Sequence, residues 1–159
     1  MTMLDIRKAT AVDYGELFTL QHAAFVDEAR LYDTPNVPAL TETLEEFTTR
    51  LDGSDTWVAV AGHRIIGAVS LRLYRDDIPD VERLMVAPDR RGESISTELL
   101  MFVEHVALEQ GYASLQLIVG DVATMNQKIY QHLGWSFEEA FDLEGFENVR
   151  LHNMSKQLS

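Results

Sequence analysis

Hydrophobic and polar positions in the first third of the chain follow two different periods. Leu4 to Lys8 alternates every two residues, which predicts a strand, and Val12 to Val26 places its apolar residues at helical spacing. Asp27 to Pro38 contains two prolines, an Asp and an Asn, and therefore predicts a loop. Thr43 begins a second helix to about Leu51, because Glu46 follows three residues later, as in a capping box.

The middle of the chain predicts strands before another helix appears. Trp57 to Val60 and Ile65 to Leu73 read as a hairpin joined at Gly62-His63-Arg64. Val81 to Ala87 predicts a third strand, which Pro88 stops. Apolar residues at helical spacing then predict a helix from Ile95 to Gly111.

The last third alternates strands with one short helix. Ser114 to Val119 is nearly continuously apolar, which suits a strand covered on both faces. Met125 to Leu133 predicts a helix, and Trp135 to Phe141 and Asn148 to Met154 predict the last two strands. The order β α α β β β α β α β β indicates an α/β fold with a partly antiparallel, partly parallel sheet flanked by helices. No repeat or linker divides residues 1–159, so we expect a single domain.

Composition narrows the kinds of partner. The formal charge of −13 disfavours nucleic acid and anionic membranes, and a cationic or amine-bearing partner is easier to accommodate. No apolar stretch approaches the ~20 residues of a membrane span, and Met1 to Lys8 lacks signal-peptide features. We therefore expect a cytoplasmic protein, with a homodimer left open as its assembly state.

Several chemistries are excluded by the residues present. The chain has no cysteine, which removes thiolate nucleophiles and thiolate metal sites. Its five histidines show no paired metal spacing, so we predict no metal. Ser94 and Ser96 lack the sequence context of a nucleophile elbow, which disfavours a serine hydrolase.

The segment from Arg90 to Ser96 joins a predicted strand to a predicted helix and carries two arginines among small residues. A helix N-terminus offers unpaired N–H groups and partial positive charge, which suits a phosphate group. Arg90 and Arg91 add charged donors. A plain turn with solvated arginines is the alternative on these residues alone.

Here the chain resembles the Gcn5-related N-acetyltransferase (GNAT) family, whose signature runs from Val-x-Pro through x-x-Arg-Gly-x-Gly-x-Gly/Ala into a helix. The matching residues are Val86, Pro88, Arg91, Gly92 and the pair Leu99-Leu100. The chain departs from the signature with Ser94 and Ser96 at two small-residue positions, and with Glu93 directly before Ser94. Serine is compatible with binding if neither position needs a positive φ angle. The resemblance implies acetyl-coenzyme A as cosubstrate, held by Leu84, Met85, Val86, Arg90, Arg91, Gly92, Glu93, Ser94, Ile95, Ser96 and Thr97.

A second stretch also resembles the family, where Tyr130 is followed by x-x-Leu-Gly and an aromatic residue. Family members place an Asn either seven residues before this Tyr, where the chain has Ala123, or four before, where it has Asn126. The resemblance implies that Asn126 and Tyr130 contact the cofactor and that Tyr130 protonates the departing thiolate. A core tyrosine with its hydroxyl bonded to the backbone is the alternative.

The resemblance implies transfer of an acetyl group to an amine of a small molecule or of a peptide. Glu82 is the candidate base on a strand face shared with Leu84 and Val86, and a salt bridge with Arg83 or Arg64 is its alternative role. Glu28, Arg30 and Tyr32 are candidate acceptor-binding residues, or simply part of a solvated helix end. A degenerate module that binds acyl-coenzyme A or another small ligand without catalysis is the alternative function.

Overall fold

The computed structural model describes residues 4–159, so the first three residues of the predicted domain and of the N-terminal segment lie outside the described part. Its strands are β1 (Asp5–Lys8), β2 (Asp55–Ala61), β3 (Arg64–Arg72), β4 (Asp80–Val86), β5 (Ser114–Gly120), β6 (Ser136–Asp142) and β7 (Arg150–Gln157). Its helices are α1 (Tyr14–Ala24), α2 (Val26–Tyr32), α3 (Pro38–Thr41), α4 (Leu44–Asp52), α5 (Ile95–Glu109) and α6 (Thr124–His132), with short 3-10 segments at Ala11–Asp13 and Pro88–Arg90.

The strands form one sheet in the order β1-β2-β3-β4-β5-β7-β6. Only β4 and β5 run parallel, and every other neighbouring pair is antiparallel. The predicted mixed α/β sheet is therefore confirmed, including the β2–β3 hairpin. A parallel pair needs a long crossover connection, which α5 provides here.

The predicted loop from Asp27 to Pro38 is wrong over much of its length, because α2 occupies its first part and α3 begins at Pro38. Phe25, at φ −96° and ψ 4°, separates α1 from α2 without ending the helical path. Asp33 ends α2 in the left-handed region, at φ 56°. Proline restricts only itself and its predecessor, and it is well suited to a first helical position. The residues that predicted a loop therefore form one only between Asp33 and Val37, which connect α2 to α3.

Two apolar layers cover the sheet. Helices α1 and α4 pack on one face through residues such as Leu17 and Phe47. Helix α5 packs on the other face through residues such as Leu99. It lies so close to β3 that a Cβ atom at Gly67 would lie 3.0 Å from Leu99 Cδ1 and from Ile95 Cγ2. This packing fixes the N-terminus of α5 beside the end of β4.

The length and hydrophobicity of the helices can be compared with those of a membrane span. None of the helices in residues 4–159 combines the length and the hydrophobicity that crossing a bilayer requires.

Candidate active site

A cleft opens where β4 and β5 separate. The two strands pair only at Asp80↔Gln116 and Val81↔Leu117, and beyond these residues they no longer pair. A bulge in β4 coincides with the separation, since its pairing to β3 shifts between Glu82 and Met85. The backbone of Arg83 takes a φ of 49° there. Bulges bend a strand and re-aim its side chains, so this one explains why the parallel pair splays.

The bulge also changes which face of the sheet each side chain takes. Val81 and Leu84 pack against the same core cluster, under α5, although regular alternation would put residues three apart on opposite faces. Glu82 instead lies beside Arg50 of α4, with Oε2 4.0 Å from Nη1. The prediction that Glu82 shares a face with Leu84 and Val86 is therefore wrong, because it assumed an unbroken strand.

The cleft has a volume of about 320 Å³, which is enough for a small ligand group. Six of the residues that the sequence singled out line it, namely Glu28, Tyr32, Glu82, Leu84, Asn126 and Tyr130. Ala123, the other position considered for the family's Asn, lines it as well. Arg30 does not; its side chain is 78% exposed and lies 3.8 Å from Asp27. The segment from Arg90 to Thr97 lies outside the lining, at the end of β4.

The segment before α5 leaves a run of backbone donors free. Within residues 4–159, the N–H groups of residues 91–97 donate to no protein acceptor, and the first helical bond runs from Glu98 N to Ser94 O, at 3.1 Å. Gly92 and Ser94 both take positive φ, at 82° and 63°. Ser94 thus occupies a conformation that favours glycine. The expectation that serine is compatible with this position required a negative φ angle, and that requirement is not met. Consecutive free N–H groups at a helix N-terminus form an anion site.

The two arginines of this segment are engaged with protein groups. Arg90 Nε lies 2.9 Å from Glu93 Oε2, and this hydrogen bond lowers the pKa of Glu93. Arg91 forms an ion pair with Asp27 and donates from Nη2 to the carbonyl oxygen of Ala24 at 3.0 Å. The charge of Glu93 is therefore compensated locally, and the free backbone N–H groups are joined by Arg90 Nη1 and Arg91 Nε as donors not engaged by these bonds.

Tyr130 reaches the cleft from α6. Its ring centroid lies 6.4 Å from that of Trp135, and its hydroxyl makes no hydrogen bond to the described residues. The alternative of a core tyrosine bonded to the backbone therefore does not match the structure. Burial, with a smaller effect from the charge of Glu28, raises the pKa of Tyr130 to about 12. The phenol is consequently protonated near neutral pH and available as a donor.

Helix α2 brings Glu28 and Tyr32 against the end of β5. Tyr32 Oη donates to the carbonyl oxygen of Arg150 at 2.5 Å and accepts from Asp121 N at 3.1 Å. A Cβ atom at Gly120 would lie 2.9 Å from both Glu28 Oε1 and Tyr32 Oη. A side chain at position 120 would therefore displace the carboxyl end of Glu28 or the hydroxyl end of Tyr32, both of which line the cleft. Burial raises the pKa of the Glu28 carboxyl.

A charged layer on the α4 side of the cleft was not predicted. Glu42 Oε2 accepts from Arg50 Nε at 2.9 Å, and Glu42 Oε1 accepts from Gln21 Nε2 at 3.0 Å. Arg83 Nη2 lies 3.8 Å from Glu42 Oε2. One signal for Arg50 was present in the sequence: with Phe47 and Leu51 it occupies the buried face of an amphipathic helix. A charged residue on such a face is uncommon and points to a buried partner.

The chain matches the model of the Acetyltransferase (GNAT) family over residues 17–135. A family match that spans the cleft, the α5 N-terminus and Tyr130 identifies the class, and the chain belongs to the GNAT acetyltransferase family.

Individual relatives and solved structures agree with this class. The chain is 31% identical to mouse N-acetylaspartate synthetase over 101 residues, which are 62% of this chain and 33% of that protein. It spans about a third of the length of the curated relatives it matches. Its fold matches the ribosomal-protein-S18-alanine N-acetyltransferase of Escherichia coli with a TM-score of 0.80 at 14% identity, over 99% of this chain and 95% of that one. It also matches a GNAT acetyltransferase from Elizabethkingia anophelis with acetyl-CoA bound, with a TM-score of 0.74 at 17% identity, over 99% and 100%.

Proposed function

We propose that the protein transfers the acetyl group of acetyl-coenzyme A to the amine of a small molecule, by direct attack of the amine on the thioester. The observation that carries the proposal is the run of free N–H groups at residues 91–97, next to a cleft that contains Tyr130. A pyrophosphate fits such a donor array. The name of the mouse relative, N-acetylaspartate synthetase, supports a small amine as acceptor.

The splayed strands suit the rest of the cofactor. Met85 and Val86 pair with β3 on one side, and on the other side β4 has no strand partner beyond Val81. The open edge offers backbone N–H and C=O groups to an extended chain with amide groups, as in the pantetheine arm. Donors of this edge, from Leu84 to Val86, are proposed to stabilise the oxyanion that forms at the thioester carbon.

Tyr130 is proposed as the proton donor to the thiolate. When the amine nitrogen bonds to the thioester carbon, a tetrahedral intermediate forms, and its collapse breaks the carbon–sulfur bond and leaves the electron pair on sulfur. A phenol that stays protonated near neutral pH, with a free hydroxyl in the cleft, is suited to this role. Its high pKa means that the proton moves only as negative charge develops on the sulfur.

Two carboxylates are candidates for accepting the amine proton. Glu82 Oε2 is buried without a hydrogen-bond partner, and Glu28 lies in the same cleft near Tyr130, with its pKa raised by burial. A base whose pKa is shifted toward the working pH is the more effective one. The variants Glu28→Gln and Glu82→Gln distinguish the two candidates. Replacing the residue that acts as base should lower kcat at every pH, whereas replacing the other residue should leave the acidic limb of the pH–rate profile unchanged.

An assay of thiol release tests the proposed function. Acetyl-coenzyme A binding is measured first by calorimetry, and thiol release is then followed over a panel of small amines, amino acids and peptides. We expect binding together with release that depends on the amine. Binding without release on any amine would favour the non-catalytic alternative, and absence of binding would contradict both.

A further inference from the structure

The acceptor half of the cleft contains a guanidinium with unused hydrogen-bonding capacity. Arg83, at the β4 bulge, lines the cleft with a side chain that is 19% exposed. Within residues 4–159 it donates no hydrogen bond, and its ion-pair contact is Glu42 Oε2 at 3.8 Å. That oxygen already accepts from Arg50 Nε at 2.9 Å. The five N–H donors of Arg83 are therefore available to a ligand in the cleft.

Arg50 adds a second positive charge next to the first. It is 9% exposed, and its Nη1 is buried without a hydrogen-bond partner. Burial, followed by the charge of Arg50, lowers the pKa of Arg83. The charges of Glu42, Glu82 and Glu28 act in the opposite direction and offset part of this repulsion. Glu42 Oε2 lies 3.8 Å from Arg83 Nη2 and Glu82 Oε2 lies 4.0 Å from Arg50 Nη1, so the guanidinium groups keep N–H donors that a closer carboxylate could accept from.

Some of the carboxylates around these arginines accept hydrogen bonds from other side chains, and some do not. Glu42 is held by Arg50 and Gln21, and Asp80 accepts from Gln116. Glu28 makes no hydrogen bond to the described residues, and Glu82 Oε2 accepts none either, although it lies 4.0 Å from Arg50 Nη1. The cleft thus contains charged groups of both signs that can still form hydrogen bonds to a ligand. The cation is Arg83 of β4, and the carboxylates are Glu82 of β4 and Glu28 of α2.

We propose that the acceptor is a zwitterion, an amine that carries a carboxylate as amino acids do, with its carboxylate bound by Arg83 and its amine directed to the carboxylates of the cleft. Arginine matches a carboxylate in a bidentate geometry. The bulge is essential, because it turns Arg83 into the space between β4 and β5. This inference rests on the proposed function and names the substrate class of the same site.

The test compares pairs of acceptors that differ only in the carboxylate, such as L-leucine with L-leucinamide and L-aspartate with L-aspartamide. The amine of an amide is less basic, so more of it is free at neutral pH, and this favours the amide. We nevertheless expect kcat/KM to be at least about tenfold higher for the acid of the preferred pair, because the acid alone pairs with Arg83.

Arg83→Gln is expected to raise KM for the acid by about ten- to hundredfold and to leave the amide nearly unchanged, since only the acid loses a charged partner. Arg83→Lys keeps the charge and should retain part of the preference. Lys8→Gln serves as the control, because it also removes a positive charge and Lys8 pairs with Asp55 outside the cleft. Acetyl-coenzyme A affinity, measured by calorimetry, should be the same in all three variants.

Three results would overturn the inference. Equal efficiency for acids and amides in the unaltered protein would do so even if Arg83→Gln failed to fold, and acetyl transfer itself would stand. Equal losses for both acceptors in Arg83→Gln would show a structural role. Higher efficiency with phosphoethanolamine than with any amino acid would make the bound anion a phosphate. Thiol release from no acceptor at all would instead contradict the proposed function, and this inference with it.

Discussion

Ser94 holds a backbone conformation that is unfavourable for serine, and replacing it by glycine should stabilise the protein. The left-handed region costs an L-residue about 1–2 kcal/mol, and Ser94 lies in it at φ 63°. Glycine avoids this cost but loses about 0.5–1 kcal/mol through its freer unfolded chain. Ser94 makes no side-chain capping bond, so nothing else is lost. The net expectation is a gain of roughly 0.5–1 kcal/mol in the free energy of unfolding.

A matched control lies two residues away. Ser96 is the second residue of α5, where replacing serine by glycine should be destabilising by up to about 0.5 kcal/mol, since glycine is the poorer helix former. Both variants make the loop resemble the family signature more closely, yet the structure predicts opposite signs for their effects. Thermal unfolding measures this directly, because about 1 kcal/mol corresponds to a shift in Tm of roughly 2–4 °C for a domain of this size.

The same two variants bear on cofactor binding. Ser94→Gly preserves the free N–H groups of residues 91–97 and should keep or improve acetyl-coenzyme A affinity in calorimetry. If Ser94→Gly lowered Tm as much as Ser96→Gly does, the left-handed conformation would not be a source of strain. A large loss of cofactor affinity in Ser94→Gly would refute the proposed use of this loop.

Three further changes test other parts of the structure. Tyr130→Phe should lower kcat by about a hundredfold or more with cofactor affinity unchanged in calorimetry, and unaltered turnover would remove its acid role. Gly120→Ala places a methyl group 2.9 Å from Glu28 Oε1 and from Tyr32 Oη, so it should raise the acceptor KM in steady-state assays by displacing the ends of these side chains. An unchanged KM would contradict their place in the acceptor site. Asp13→Asn removes the negative charge and one of the two oxygens that accept from Arg7, an interaction that lowers the pKa of Asp13, and it should cost about 1–2 kcal/mol near neutral pH. The lowered pKa of Asp13 stabilises the folded protein at pH values above the pKa that this residue has in the unfolded chain. The difference in unfolding free energy between the two proteins should therefore disappear as the pH falls through the folded-state pKa, and a difference that does not depend on pH would refute this reasoning.

The sequence was most informative where the signals are local. Pro88 ends a strand, small residues and Gly92 follow, and the apolar spacing from Ile95 begins a helix, so the order of strand, loop and helix is readable from a short window. The family resemblance rests on the same window and on Tyr130 with Gly134. The fold class and the family followed from these residues without knowledge of the packing.

The acceptor half of the cleft depends on contacts between distant segments and was mostly missed. The bulge at Arg83 arises from how β4 pairs with β3. The residue types in β4 do not indicate a bulge, so it could not be predicted from the sequence. Glu28 was noticed for its charge, but its place in the cleft requires α2 to approach Gly120. Arg50 carried the one readable signal, a charge on the apolar face of α4. These are tertiary effects that overrule local patterns.

The proposed function depends most on the backbone N–H groups of residues 91–97, at the N-terminus of α5, which we propose to hold the pyrophosphate of acetyl-coenzyme A. NMR spectra of the 15N-labelled protein, recorded as acetyl-coenzyme A is added, observe these groups one by one. We expect large amide shifts concentrated in residues 91–97, with slower hydrogen exchange of the same amides once the cofactor is bound. Saturable binding that leaves these amides unshifted, or that shifts a different surface, would contradict it.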